Sequence, residues 1–125
     1  MRTRIHTAGA PKALGTYSQA IATSGAIYLS GQIGLDPATG ELVQGFENQA
    51  HRVFRNLAAV AAEAGASLND AVRATVFIMD FADFPKLNEI MGQYFSEPYP
   101  SRSTVQVAAL PKGALIEIDL ILAKP

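Results

Sequence analysis

The chain has 125 residues, 49% hydrophobic and 17% charged, with a net charge of −1, which suits one domain (residues 1–125) with a real core and offers no electrostatic footprint for a nucleic acid. It has no cysteine, which excludes disulfides, thiolate metal sites and a cysteine nucleophile; the two histidines, His6 and His51, are too far apart in sequence for ligand spacing, so no metal is expected. No apolar window runs to about 18 residues without charge and the N-terminus has no long apolar run, so neither a membrane span nor a signal peptide is expected and the default is a soluble cytoplasmic protein.

Residues 2–7 can form a short first strand, and Ala10–Gly15 reads as a loop. Tyr17–Thr23 reads as a strand, Ser24-Gly25 as a hairpin turn and Ala26–Ile33 as the next strand. Gly31 and Gly34, in or near that strand, predict a bulge or the close approach of another group to the backbone. Asp36–Gly40 is a turn, with proline after aspartate and a terminal glycine.

Phe46–Ala64 carries the strongest helical pattern. Ala50, Val53, Phe54, Leu57, Val60, Ala61 and Ala64 recur at three- and four-residue steps, Glu47 suits the first turn, and Gly65 follows as a stop. Ser67 with Asp70 resembles a capping box ahead of a strand at Val72–Met79. Asp80–Asp83 reads as a loop ending in an N-cap, with Pro85 in the first turn of a second helix. Phe84, Leu87, Met91, Tyr94 and Phe95 mark its apolar face, and it is expected to end before Pro98. Asn88 lies one turn beyond Phe84, where a lone asparagine is ordinarily solvated.

The stretch Pro98–Leu122 holds two charges where charge is costly. Arg102 precedes an alternating apolar run, Val105, Val107 and Ala109; Glu117 sits inside a second, Leu115 to Leu122, after a Pro111-Lys112-Gly113 turn. A carboxylate in a strand with a buried face needs a partner or a task, and the planar fork of Arg102 suits a carboxylate of either the protein or a ligand. An ordinary surface pair or structural ion pair explains the same residues. Alternation puts Glu117, Asp119 and Ile121 on one side of the last strand, opposite Ile116, Ile118 and Leu120, which suggests a cavity or an interface edge.

The predicted order is therefore β-β-β-α-β-α-β-β, an α+β fold. A single mixed six-stranded sheet with two helices packed on one face satisfies it, and strands this apolar imply that the other face is covered by further copies.

Nearly end to end, the chain resembles the reactive-intermediate deaminase family, the RidA or YjgF proteins. The segments that carry the resemblance are APKALGTYSQA (10–20), YLSGQIG (28–34), DPATGE (36–41), PSRSTVQVAALP (100–111) and IEI (116–118). The resemblance implies a chorismate-mutase-like fold and a homotrimer with active sites at the subunit interfaces. It further implies hydrolysis of small 2-imino acids or their enamine tautomers, such as 2-iminobutanoate and 2-iminopropanoate, to 2-oxo acids and ammonia, without a cofactor. By position, Arg102 matches the arginine that clamps the substrate carboxylate, and Glu117 the glutamate that orients or activates the attacking water. Tyr17 and Asn88 match pocket residues, and Ser30 and Gly31 the strand that approaches the imine. Thr104 stands where several relatives carry cysteine; the contact there runs through the backbone N–H, and Thr104 is expected to keep it. Thr16 stands where many relatives have proline. Two other readings compete: a trimeric carboxylate-binding sensor without turnover, and a chaperone or translation-inhibiting ribonuclease. Arg102 and Glu117 together favour the enzyme, while the charge balance and the lack of an evident His–His or His–Lys pair speak against RNA cleavage.

Overall fold

A computed structural model describes all residues of the chain, Met1–Pro125. The strands are β1 (Thr3–Ile5), β2 (Ala20–Ala22), β3 (Ala26–Gln32), β4 (Ala71–Ile78), β5 (Ser101–Gln106) and β6 (Ile116–Ala123), with helices α1 (Phe46–Glu63) and α2 (Phe84–Met91). They form one sheet in the order β1-β2-β3-β6-β4-β5, antiparallel throughout except for the parallel pair β4 and β5. The β-β-β-α-β-α-β-β order matches the expectation, and both helices cover the same face.

That face is set by alternation. On β6, Ile116, Ile118, Leu120 and Leu122 are buried, while Glu117, Asp119 and Ile121 between them are only half-buried. The buried set meets Ala74, Val76 and Ile78 of β4, Ile27 and Leu29 of β3 and the apolar stripe of α1, in one core. Val53, Phe54 and Leu57 of that stripe are fully enclosed, and fully burying such side chains contributes about 1.5–3 kcal/mol each. Gly65 follows the helix, with Ala66 N donating back to Ala61 O at 2.9 Å.

Four buried amides, Gln19, Gln32, Gln49 and Asn56, escape the apolar pattern, and three of them bridge segments. Gln49 Oε1 accepts from Leu115 N at 2.8 Å and so fixes the entry to β6. Asn56 Nδ2 donates to Leu35 O at 2.9 Å, holding the chain beyond β3 against α1. Gln19 accepts from Thr7 N at 2.7 Å and donates to Pro11 O at 2.8 Å, bracing the loop before β2. Each of these three amides has its partners supplied within the chain and so ties together segments distant in sequence.

Several boundaries differ from expectation. Tyr17 is not in a strand: β2 starts at Ala20, because Gln19 turns its side chain inward to bond the 7–11 loop. Asp83 is the N-cap residue of α2, as expected, but its side chain makes no cap bond; the side-chain cap comes earlier, where Asp80 Oδ1 accepts from Ala82 N at 2.9 Å and starts a 3₁₀ turn over 81–83. α2 ends at Met91, and tighter turns through Gln93 and Tyr94 follow, with Gln93 N bonded to Ile90 O at 2.9 Å. The apolar run Val105–Ala109 is not buried: β5 stops at Gln106 and is the edge of the sheet, leaving Val105 42% exposed.

Candidate functional site

The residues singled out in the sequence fall into two groups. Tyr17, Ser30, Gly31 and Glu117 line one cleft of about 730 Å³. Asn88 and Arg102 line another, of about 480 Å³, with Met91 and Tyr99, and Thr104 stands two residues along β5 from Arg102.

In the first cleft, the register between β3 and β6 slips between Leu29 and Gln32, which lets Ser30 and Gly31 bulge. Glu117 fills the room this creates. A Cβ on residue 31 would clash with Glu117 Oε2 and lie 3.0 Å from its Cδ, so any side chain there must move the carboxylate. Ser30 Oγ donates to Ser18 O at 2.6 Å and Ser30 N to Gln19 O at 3.0 Å, stitching β3 to the segment that bears Tyr17. Tyr17 itself is 53% exposed, on the rim. Burial raises the Glu117 pKa above the usual carboxylate value, and the neighbouring Asp119 charge raises it further. Asp119 is also raised by burial, opposed by a hydrogen bond from Thr75 and by the charge of Arg73.

In the second cleft, Arg102 Nη1 donates to Asn88 Oδ1 at 2.8 Å and touches Met91 Sδ at 3.6 Å. The guanidinium carbon lies 5.3 Å from the centroid of the Phe84 ring, within cation–π range. α2 therefore holds the head group on one side and leaves Nε and Nη2 for a bidentate partner. Thr104 Oγ1 is buried without a hydrogen-bond partner. Its backbone faces the other way: Val107 N donates to Ile78 O at 3.0 Å, so by alternation the Thr104 N–H points away from β4, toward the unpaired edge.

The two clefts are on opposite faces of the sheet. Arg102 is in register with Ala74 of β4, a core residue, and Thr104 with Val76, another. Glu117 is in register with Phe77, on the side away from the helices. Arg102 is therefore not the partner of Glu117 within one chain; the ion pair found is Lys86–Glu89. Sequence reasoning missed Phe84 and Met91 around the guanidinium, which apolar periodicity marks only as core, and Tyr99, which lies outside any periodic pattern. It also missed Lys12 and Lys112 in the first cleft, which read as turn residues. No three histidine, aspartate or glutamate side chains group as metal ligands, and no helix is long and apolar enough to cross a membrane.

A family model described as endoribonuclease L-PSP matches residues 7–124. The chain is 44% identical over 122 residues to the 2-iminobutanoate/2-iminopropanoate deaminase of Homo sapiens, covering 97% of this chain and 89% of the human protein. It is similar to the crystal structure of RidA from an Antarctic Psychrobacter, with 51% identity, a TM-score of 0.95 and coverage of 97% and 98% of the two chains. It is also similar to the crystal structure of E. coli TdcF with bound serine, with 38% identity, a TM-score of 0.93 and coverage of 98% and 99%.

Proposed function

The chain belongs to the YjgF/RidA family, the family described as endoribonuclease L-PSP, and from that premise we propose that it hydrolyses small 2-imino acids, or their enamine tautomers, to 2-oxo acids and ammonia. The observation that carries the reading is the state of Glu117: a half-buried carboxylate of raised pKa, with no ion-pair partner, opening on a cleft. A structural carboxylate would have found a cation. A carboxylate kept unpaired to serve as a general base is left in this condition.

The deaminase name of the human relative supports the reaction, and the serine bound to TdcF supports a site for an amino-acid-sized ligand. Arg102 receives the substrate carboxylate in a bidentate contact, which aims the imine carbon at one water. Glu117 accepts a proton from that water as its oxygen bonds to the imine carbon. The imine nitrogen, protonated as the iminium, takes up the C=N electron pair to give the carbinolamine. Glu117 returns its proton to that nitrogen, the C–N bond breaks, and ammonia leaves as the hydroxyl oxygen forms C=O and gives its proton to the freed carboxylate. An imine carbon is already electrophilic, so placement and proton transfer suffice and no cofactor is needed.

Opposite faces of one sheet cannot present Arg102 and Glu117 to one small molecule. The working site is therefore composite, with Arg102, Asn88 and the Thr104 N–H from one copy meeting Tyr17, Ser30, Gly31 and Glu117 from the next. The free edge of β5 and the uncovered face bearing Phe77, Val105 and Ile121 suit such packing, and a closed homotrimer supplies one site per interface. The test is ammonia and 2-oxobutanoate release from 2-iminobutanoate generated in situ by an amino-acid oxidase. A rate above the spontaneous one supports the enzyme; binding of 2-oxobutanoate without any acceleration would make the protein a carboxylate sensor instead.

A further inference from the structure

The cleft that holds Glu117 contains more positive charge than a short aliphatic imino acid can use. Its charged lining residues are Lys12, Lys112 and Glu117, two cations against one anion. Neither lysine is in an ion pair. Both stand on braced backbone. The carbonyl of Pro11, next to Lys12, accepts from Gln19 Nε2 at 2.8 Å. Lys112 holds a left-handed conformation, φ 57° and ψ 19°, between hydrogen bonds from Gly113 N to Leu110 O at 3.3 Å and from Ala114 N to Pro111 O at 3.0 Å. Non-glycine residues seldom adopt that conformation, and where they do it often serves a site.

We propose that this cleft receives a second anionic group, so that the preferred substrates are 2-imino dicarboxylates, the imines of acidic amino acids, with the distal carboxylate held between Lys12 and Lys112. The inference rests on the imine-hydrolase reading for the position of the first carboxylate, at Arg102. The distal carboxylate then meets the two exposed lysines, on mobile stems that can adjust to one or two intervening methylenes.

Calorimetric titration of the intact oligomer with 2-oxoglutarate and 2-oxobutanoate tests this, alongside turnover of 2-iminoglutarate and 2-iminobutanoate generated by the matching oxidases. The wild type should bind 2-oxoglutarate about fivefold more tightly than 2-oxobutanoate, the scale expected for two exposed ion pairs, and the preference should shrink as salt is added. The Lys12→Met/Lys112→Met variant should lose it, the Lys12→Arg/Lys112→Arg variant should keep it, and Lys124→Met, the loss of a single charge elsewhere, should leave it untouched. A wild type that hydrolyses 2-iminobutanoate but shows no dicarboxylate preference, or a preference that survives in the double methionine variant, overturns the inference and leaves the imine reading standing. A preference lost in that variant, in a protein that accelerates no imine, upholds the dicarboxylate site and overturns the imine reading instead.

Discussion

Gly31 and Glu117 share one volume: the carboxylate of Glu117 lies where a side chain on residue 31 would begin. Gly31→Ala must therefore displace the carboxylate or push β3 off β6. The expected result is a loss of about tenfold or more in kcat/KM, the scale of a catalytic group moved by a fraction of an ångström to one ångström. The circular dichroism spectrum should be preserved. An alanine variant with wild-type turnover would show that the contact does not set the base.

The raised pKa of Glu117 has two consequences of opposite kind. The base works when ionised, so kcat/KM should rise with pH through an apparent pKa above the ordinary glutamate range. Asp119→Asn removes the second cause of the shift and should move that limb to lower pH. For stability the folded state holds its proton more tightly than the unfolded chain, so stability falls as pH rises from the unfolded pKa through the folded one. Glu117→Gln should therefore be more thermostable than wild type at pH 8 and lose that advantage below pH 4, while turnover falls roughly 10²–10⁴-fold. Equal melting temperatures at both pH values would contradict the burial account.

Thr104 offers a test free of kinetics. Its buried hydroxyl has no partner, and an unsatisfied buried polar group costs about 1–3 kcal/mol. Thr104→Val keeps the shape and removes the hydroxyl, so urea unfolding should show a gain of about 1 kcal/mol. A loss of similar size would mean that a water or a neighbouring copy satisfies the hydroxyl.

Gln19→Leu should destabilise by about 1–3 kcal/mol through the stranded Thr7 N–H alone. Because Ser30 N bonds the Gln19 carbonyl rather than its side chain, β3 should stay paired. Faster hydrogen exchange should be confined to residues 7–17, and exchange spread through β3 would contradict this.

Local sequence carried the elements whose causes are local. The stripe of α1, the Ser67–Asp70 capping box and the alternation of β6 all appear as expected, because three- to four-residue steps, a short capping motif and a two-residue period are written in adjacent residues. The reading of Gly31 and Gly34 also held: one makes room for Glu117, and a Cβ on the other would lie 2.8 Å from Gln49 Cα. What depended on pairing between distant segments was not legible. Val105 is apolar and yet exposed because β5 is an edge, a fact of strand order. Gln19, Gln49 and Asn56 look solvated in sequence, since their backbone partners come from other segments. Arg102 and Glu117 looked like mutual partners, and the parallel register of β5 on β4 sends them to opposite faces.

That separation gives the most direct test of a composite site. Arg102→Ala and Glu117→Gln are each expected to be nearly inactive as pure proteins. Denatured together in equal amounts and refolded, they should recover about a quarter of the wild-type rate, because random assembly of a cyclic oligomer pairs an intact Arg102 with an intact Glu117 from the next copy at one interface in four. A mixture no more active than its two parents would place both residues in one chain's own site and contradict the account.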